Sequence, residues 1–333
     1  MASVTLTPEE MRAIMHSKTE AAIARLGPLA DCLEEFDVFI PMHDTLQSRT
    51  KIVRSKSKSS SQRPLIVHFY GGGFLVGEPE QLLSAARAFA ETFNAVVALP
   101  SYSLIPDVRW PVPYHESWFA LVWLSKHAEN LGANLEAGFI VGGVSAGASL
   151  AAVCGGLSMC PNTKEAKEVP ELTKPLTGQF LCVPNLVMEE NVPMEYKSLF
   201  TSRQDNAHSP VGLNAAALKQ VYDGLQCTDY RSPWFSPITT IASDQRLVNK
   251  IPTYMEHCGL DPFRDDVTIY GKLLESRGVK TMIHLHPEAV HGSWTVVDPL
   301  HEAMGHVLQA TQLAGMKWLL SQNETPDNRR HRA

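Results

Sequence analysis

The chain of 333 residues has no excess of positive charge, which limits the classes of partner that it is expected to bind. Lysine and arginine number 29 against 35 aspartate and glutamate residues, and the formal net charge is −6 at pH 7. Because nucleic-acid-binding proteins present clustered basic faces, we expect no nucleic-acid partner. A basic cluster, KIVRSKSK at residues 51–58, adjoins a serine-rich stretch, and we interpret it as a solvated loop.

Long apolar runs are also absent. No run approaches the length of about 20 residues that spans a bilayer, and residues 1–20 contain no apolar core of the kind that a secretory signal needs. Hydrophobic residues nevertheless make up 44% of the chain, which is enough for a large core. We therefore expect a cytoplasmic globular protein without a membrane span.

The six cysteines show no CxxC spacing, and most lie within apolar runs. Metal and redox motifs place cysteines in close pairs, and disulfides are rare in reducing compartments. We therefore expect buried free thiols. The cysteines are Cys32, Cys154, Cys160, Cys182, Cys227 and Cys258.

From about residue 64, short apolar runs alternate with helical patterns, without an internal repeat. This alternation is typical of α/β proteins with a mostly parallel sheet and helices on both faces. Strands are predicted at residues 64–70, 94–100, 137–143, 176–183, 251–258 and 280–287, with an earlier antiparallel strand at 36–42. Apolar residues at three-and-four spacing predict helices at residues 80–93, 115–131, 214–225 and 267–278.

Two segments depart from this rhythm. Residues 1–45 hold an amphipathic N-terminal piece and the first strand, and residues 186–232 are irregular and punctuated by proline and asparagine. Insertions of this kind lie above the strand ends of an open sheet, where ligands bind. We predict that both segments contribute a cap. The core would then comprise residues 46–185 and 233–320, followed by a polar tail at 321–333.

The strongest chemical signal is GVSAG at residues 143–147, between a strand pattern and a helical pattern. A strand, a G-x-S-x-G and a helix in that order describe a nucleophile elbow, in which the glycines let strand and helix approach closely. We predict Ser145 as a nucleophile. The alternative is a chance pentapeptide, which the flanking strand and helix disfavour.

A serine nucleophile needs a base to accept its proton, and in this type of elbow an acid and a histidine follow the serine in the chain. Asp261 comes just after the strand predicted at 251–258, and His291 follows the strand at 280–287. Both therefore lie at the same edge of the sheet as Ser145. We predict Asp261 as the orienting acid and His291 as the base.

Nearby residues of the same types are weaker candidates. Asp265 and Asp266 begin a predicted helix, where carboxylates are expected as caps and partners of the helix dipole. His284 and His286 lie within a strand, where a histidine is more often a satisfied core residue. A metal site at His286 and His291 lacks further ligands at a suitable spacing.

The sequence YGGGF at residues 70–74, here called the glycine loop, follows the strand predicted at 64–70. Attack on a carbonyl creates an oxyanion that needs preorganised donors, and the loss of one donor costs about 3–4 kcal/mol. Bare backbone can approach this oxygen where a Cβ would block it. We predict the N–H groups of Gly72, Gly73 and Ala146 as an oxyanion hole. A flexible turn is the alternative.

Four blocks in this order resemble the hormone-sensitive-lipase-like branch of the α/β-hydrolases: YGGGF (70–74), YSLIPD (102–107), GVSAGASLA (143–151), and DPFRD (261–265) with VHG (290–292). The resemblance covers residues 64–320. It implies an α/β-hydrolase fold with a mostly parallel central sheet, helices on both faces and a helical cap. It also implies cofactor-independent activity on esters.

The blocks depart from the family pattern at a few positions. The family's glycine loop usually reads HGGG, but here the histidine is replaced by Tyr70. Val144 stands where an acid usually precedes the nucleophile, and Ala148 replaces a glycine. Because the expected donors are backbone groups, the change at Tyr70 should preserve the oxyanion hole and alter what braces the loop. These departures favour a specialised member of the family.

The resemblance implies a serine carboxylesterase that acts through an acyl-enzyme on a small to medium, largely apolar ester. Similarity to fungal biosynthetic members leaves open acyl transfer, thioester release or lactone closure with the same three residues, and an acyl-carrier protein as a partner. A ligand-binding receptor on a hydrolase scaffold is disfavoured because His291 is present. A homodimer through the last strand and helix is a further candidate assembly.

Aromatic residues near the motifs or in the cap are candidates for an apolar substrate pocket, and core packing is the alternative for each of them. These are Tyr70, Phe74, Trp110, Trp234, Phe235 and Trp294. Met11, Met15 and the helix predicted at 214–225 are candidates to close the top of the site.

Overall fold

The computed structural model describes residues 6–43, 45–57, 62–244, 246–293 and 302–323. Within these ranges, eight strands form one sheet in the order β1-β2-β4-β3-β5-β6-β7-β8. The pairs β1–β2 and β2–β4 are antiparallel and the remaining neighbours are parallel. The strands are β1 (Leu33–Pro41), β2 (Gln47–Ser55), β3 (Leu65–Phe69), β4 (Val96–Pro100), β5 (Phe139–Val144), β6 (Gly178–Cys182), β7 (Thr253–Leu260) and β8 (Thr281–Val290).

Helices cover both faces of this sheet, as the sequence predicts. On one face α2 packs against α10, and on the other α4 packs against α3 and α8. The α-helices are α1 (Pro8–Leu26), α2 (Leu83–Phe93), α3 (Val112–Lys126), α4 (Ala146–Met159), α5 (Lys164–Lys167), α6 (Ser202–Asp205), α7 (Ala215–Leu225), α8 (Pro237–Ser243), α9 (Arg264–Ser276) and α10 (Glu302–Gln322). Short 3₁₀ helices occupy Pro79–Leu82, Glu189–Asn191 and Met194–Leu199.

The central strands are the most deeply buried part of the sheet. Every residue of β3, β4, β5 and β6 is buried. Strands covered on both faces read as continuous apolar runs rather than as alternating patterns. This explains why their positions are visible in the sequence to within a few residues.

The interpretation of residues 51–58 as a solvated loop is wrong for residues 51–55, which belong to β2. Ile52 and Val53 are buried, while the charged ends of their neighbours reach acids on β1. Lys51 Nζ lies 2.7 Å from Asp37 Oδ1, and Arg54 Nε lies 2.7 Å from a carboxylate oxygen of Glu34. These cross-strand ion pairs stabilise the basic residues within the sheet. Residues 58–61 lie outside the described residues.

The helix predicted at 115–131 begins and ends earlier, at Val112 and Lys126. Its first turn contains Pro113, which a helix tolerates there because the first N–H groups have no intrahelical partner. Because the proline interrupts the pattern of apolar spacing, this pattern alone predicts a start of the helix that is too late.

Residues 186–232, here called the insertion, lie between β6 and β7 and include α6 and α7. The sulfur atom of Met11 on α1 lies 3.8 Å from the side-chain nitrogen of Gln220 on α7. Thus the N-terminal helix and the insertion meet. Met11 and α7, which were both predicted to close the top of the active site, are therefore neighbours.

The cysteines are all free thiols: four are buried, Cys227 is partly buried and Cys32 is exposed. Burial raises the pKa of the Cys154 thiol to about 12. Within the described part of the chain, no helix has both the length and the apolar character that a bilayer span requires.

Candidate active site

The strand-to-helix turn that carries Ser145 has the geometry of a nucleophile elbow. Ser145 lies between the end of β5 and the start of α4, with φ 54° and ψ −120°. A positive φ is unfavourable for a residue with a side chain and persists only where the surroundings impose it. A side chain on Gly147 would collide with the carbonyl oxygens of Phe69 and Tyr70, which explains the glycine at this position.

The structure brings the three predicted residues into one hydrogen-bonded chain. Ser145 Oγ lies 2.8 Å from His291 Nε2, and His291 Nδ1 lies 2.8 Å from Asp261 Oδ2. With an ionised Asp261, Nδ1 carries the donated proton, and Nε2 is left to accept the hydroxyl proton of Ser145. Such a chain is the arrangement by which a serine hydroxyl is activated for attack on a carbonyl.

Two parallel strands position the acid and the base. Asp261 directly follows β7, and His291 directly follows β8. The Asp261 side chain is fully buried, that of His291 is 10% exposed, and Asp261 Oδ1 accepts a hydrogen bond of 2.8 Å from the N–H of Phe263. The Phe263 ring packs edge-on against the imidazole of His291 at 5.3 Å. Burial and these contacts limit the orientations that the imidazole can adopt.

Asp265 and Asp266 lie in the first turn of α9, as expected, but their side chains do not cap this helix. Asp265 Oδ2 accepts hydrogen bonds from the N–H groups of Thr201 and Ser202, at 2.8 and 2.7 Å. Asp266 Oδ2 accepts bonds from the N–H groups of Leu186 and Val187, at 2.8 and 3.1 Å; these four donors all belong to the insertion. The two carboxylates therefore attach the insertion to the core. Caps are local contacts, and the sequence pattern gave no sign of these distant donors.

The two strand histidines lie within β8, as predicted. His286 is buried and its Nε2 lies 3.6 Å from a carboxylate oxygen of Glu256, whereas His284 is exposed. The expectation of a core residue therefore holds for His286 only. Among the described residues, no group of His, Cys, Asp and Glu side chains is arranged to hold a metal ion.

Arg203 of the insertion is a site residue that sequence reasoning missed. Its guanidinium lies 2.9 Å from Asp266, stacks over the Phe263 ring at 4.5 Å, and donates to the carbonyl oxygen of Pro262. Burial alone would lower the pKa of this guanidinium, but the attraction of Asp266 outweighs burial and raises the pKa. A lone arginine in an irregular stretch carries no motif that could have revealed this role.

The glycine loop lies against Ser145 and the insertion. A side chain on Gly71 would place its Cβ 3.2 Å from Ser145 Cβ, and one on Gly73 would place it 2.9 Å from Val221 Cγ2 on α7. Gly73 also has φ 62°, and a side chain on Gly72 would collide with the carbonyl oxygen of Val76. The close approach that the sequence suggested is therefore present on both sides of the loop.

The predicted oxyanion donors are available to a ligand. Within the described ranges, the N–H groups of Gly72, Gly73 and Ala146 donate no hydrogen bond to the protein. Ala146 is the first residue of α4, where N–H groups have no intrahelical acceptor. Backbone N–H groups are obligatory donors, so a partner from outside the chain is expected here.

The described aromatic candidates all pack against other residues of the protein. Tyr70 and Phe74 are buried and contact Tyr102 at ring distances of 4.4 and 6.2 Å. Trp110 Nε1 donates to the carbonyl oxygen of Trp234 at 3.1 Å. Trp294 lies outside the described residues. Phe235 packs near Tyr114, with ring centroids 6.1 Å apart. A role in substrate binding stays a prediction for all six residues that the sequence singled out.

A family model of the alpha/beta hydrolase fold matches residues 66–295. The chain is 27% identical to the versiconal hemiacetal acetate esterase of Dothistroma septosporum, over 95% of this chain and 90% of that protein. It is 29% identical to the carboxylesterase NlhH of Mycobacterium tuberculosis, over 75% of this chain and 74% of that protein.

Solved structures show the same architecture. The crystal structure of vibralactone cyclase matches with a TM-score of 0.83 over 98% of this chain and 92% of that chain, at 22% identity. A thermostable esterase from Pseudomonas putida matches with a TM-score of 0.76 over 96% of this chain and 91% of that chain, at 18% identity. At such identities the likeness shows the fold alone. Together with the family model and the esterase relatives, the fold makes this chain a member of the α/β hydrolase family and an enzyme of the carboxylesterase type.

Proposed function

We propose that the enzyme hydrolyses small to medium, largely apolar carboxylic esters through an acyl-enzyme formed on Ser145. The observation that carries this proposal is the continuous hydrogen-bonded chain from Ser145 Oγ through His291 to Asp261, at 2.8 Å for each link. The names of the esterase relatives support the reaction class.

In the first half of the reaction, His291 Nε2 takes the hydroxyl proton while Ser145 Oγ attacks the ester carbonyl. Asp261 stabilises the imidazolium that results and keeps its Nδ1–H oriented. The imidazolium then gives its proton to the departing alcohol, and the acyl group stays on Ser145. In the second half, water attacks the acyl-enzyme by the same proton transfers and releases the acid.

The oxyanion of each tetrahedral intermediate would accept hydrogen bonds from Gly72, Gly73 and Ala146. This role is supported by the absence of protein acceptors for these three N–H groups within the described residues. Ala146 begins α4, so the positive end of the helix dipole also faces the developing charge. Val221 of α7 lies close to Gly73, since a Cβ on this glycine would be 2.9 Å from Val221 Cγ2.

Acyl transfer, thioester release or lactone closure is the second candidate reaction. It would use the same three residues but a different acceptor from water, such as a second hydroxyl of the substrate or an acyl-carrier protein. The fold similarity to vibralactone cyclase favours keeping this candidate. The predicted cap of the N-terminal helix and the insertion would support it as well, since a closed site can exclude water.

The proposal is tested with p-nitrophenyl acetate and the variant Ser145→Ala. We expect turnover to fall by at least about 10⁴-fold, because the nucleophile and its base act as a unit. Ser158→Ala removes another buried hydroxyl near the far end of α4 and serves as the matched control, with turnover close to that of the wild type. A Ser145→Ala variant that keeps its rate would contradict the proposal.

Product analysis separates the two candidate reactions. With butanol added to the assay, a hydrolase releases mainly acetic acid, whereas an acyltransferase forms butyl acetate. Butyl acetate as the main product would replace hydrolysis by acyl transfer.

Two further expectations from the sequence belong to this proposal. A homodimer would use the edge strand β8, whose Met282, Ile283 and Leu285 side chains are each at least 39% exposed. Unpaired edge strands favour pairing between chains. Location in the cytoplasm stays a prediction.

A further inference from the structure

The motif at residues 102–107 has no assigned role in the proposed reaction, although it is one of the four blocks that carry the family resemblance. The structure places its first part directly beside the glycine loop. The contacts fall at the two ends of that loop, before Gly71 and after Gly73.

At the entry to the loop, Tyr102 Oη donates a hydrogen bond of 2.9 Å to the carbonyl oxygen of Tyr70. The Tyr70 hydroxyl in turn reaches the backbone of Tyr102, 3.3 Å from its carbonyl oxygen and 3.4 Å from its nitrogen. The two rings are stacked, with centroids 4.4 Å apart and planes 15° apart. Each tyrosine therefore fixes the main chain of the other.

At the exit from the loop, the N–H of Ile105 donates a hydrogen bond of 2.9 Å to the carbonyl oxygen of Phe74. Arg12 of α1 reinforces this end, because its guanidinium donates to the carbonyl oxygens of both Leu75 and Ile105, at 3.1 and 3.0 Å. Tyr102 and Ile105 thus bind main-chain groups at both ends of the three-glycine segment.

Both the ring and the carbonyl group of Tyr70 are closely packed against the surrounding backbone. A side chain on Gly77 would place its Cβ 2.6 Å from Cδ2 of the Tyr70 ring. On the opposite side, the Tyr70 carbonyl oxygen abuts Gly147, in the first turn of α4. A shift of Tyr70 would therefore move the glycine loop relative to the helix start that carries Ser145 and Ala146.

We propose that residues 102–105 hold the glycine loop at both ends, and that Tyr70 and Tyr102 are positioning residues for the oxyanion donors. This inference rests on the proposed function and adds to it. It gives Tyr70 a role through the main chain, in place of the contact with substrate that the sequence suggested. Among the described residues, neither tyrosine side chain forms a hydrogen bond with Ser145, His291 or Asp261.

The test compares Tyr102→Phe and Tyr70→Phe, which remove one hydroxyl each and keep both rings. We expect kcat on p-nitrophenyl acetate to fall about tenfold for Tyr102→Phe, less for Tyr70→Phe, and KM to stay within about twofold. A donor that is loosened but not removed should cost part of the loss of about 10²–10³ that follows complete removal. The matched control is Tyr270→Phe, which removes a buried hydroxyl near Cys160 and Gln179.

A trifluoromethyl ketone provides a readout that general stability would not change. It forms a tetrahedral adduct with a serine and so reports on binding of the oxyanion. We expect its dissociation constant, measured by titration calorimetry, to rise in Tyr102→Phe by the same factor as kcat falls. Tyr270→Phe should bind it as the wild type does.

Two results would overturn the inference. One is a Tyr102→Phe variant that unfolds at a lower temperature but keeps its kcat and its affinity for the ketone. The other is a rise in KM at constant kcat, which would place the tyrosines in substrate binding. Either result leaves the proposed function intact, because that function is tested separately, by the Ser145→Ala variant and by product analysis.

Discussion

The two sides of Ser145 are stabilised in different ways. On the glycine-loop side, most contacts are between neutral groups, namely stacked tyrosine rings and hydrogen bonds to main-chain carbonyl groups, and the Arg12 guanidinium also donates to carbonyl oxygens there. On the acid side, Asp261 is fully buried, and next to it the fully buried Asp266 pairs with Arg203, whose side chain is 20% exposed. The loop must present N–H groups at fixed positions and carries no charge of its own. The acid side must keep a charge in the protein interior.

This difference predicts which kind of substitution harms each side. Buried charges depend on specific partners, and removal of one partner leaves the other uncompensated. A neutral hydroxyl contributes about 1 kcal/mol, so its loss is milder. Changes on the acid side should therefore have the larger effects, on rate as well as on stability.

The largest effect is expected for Asp261→Asn. The amide oxygen accepts a weaker hydrogen bond from His291 Nδ1 than a carboxylate does. The amide also favours the wrong tautomer of the imidazole. We expect kcat on p-nitrophenyl acetate to fall about 10⁴-fold. Asp265→Asn is the control, because Asp265 binds the main chain of the insertion and does not contact His291. Similar losses in both variants would contradict the distinction.

A smaller effect, on stability, is expected for Arg203→Met. This change leaves Asp266 buried without its cation, and we expect the free energy of unfolding to fall by about 3–5 kcal/mol. Adding Asp266→Asn should recover part of the loss. Tyr102→Phe is the matched change on the loop side, with an expected loss of about 1 kcal/mol. Urea denaturation of the wild type and these three variants measures their free energies of unfolding. Equal losses on the two sides of Ser145 would contradict the expected difference.

Much of the fold and the family membership could be predicted from sequence, for identifiable reasons. Strands such as β3 and β5 are buried on both faces and read as continuous apolar runs. The elbow around Ser145 requires glycines at fixed spacing, because strand and helix touch there. Asp261 and His291 follow strand ends, and parallel strands bring those ends to one edge.

The remaining features depend on contacts between distant segments. Strand β2 was missed because its lysine and arginine side chains find acids on β1, which no local pattern shows. Arg203 and the attachment of the insertion by Asp265 and Asp266 were missed for the same reason. The packing of Tyr70 against Tyr102 joins two blocks of the sequence that lie 32 residues apart.

The most direct test of the account is covalent labelling of the folded protein with a fluorophosphonate, read by intact mass and peptide mapping. The account predicts one adduct per chain, located at Ser145 and absent from the Ser145→Ala variant. No adduct on folded wild-type protein, or an adduct on another residue, would contradict the assignment of Ser145 as the nucleophile.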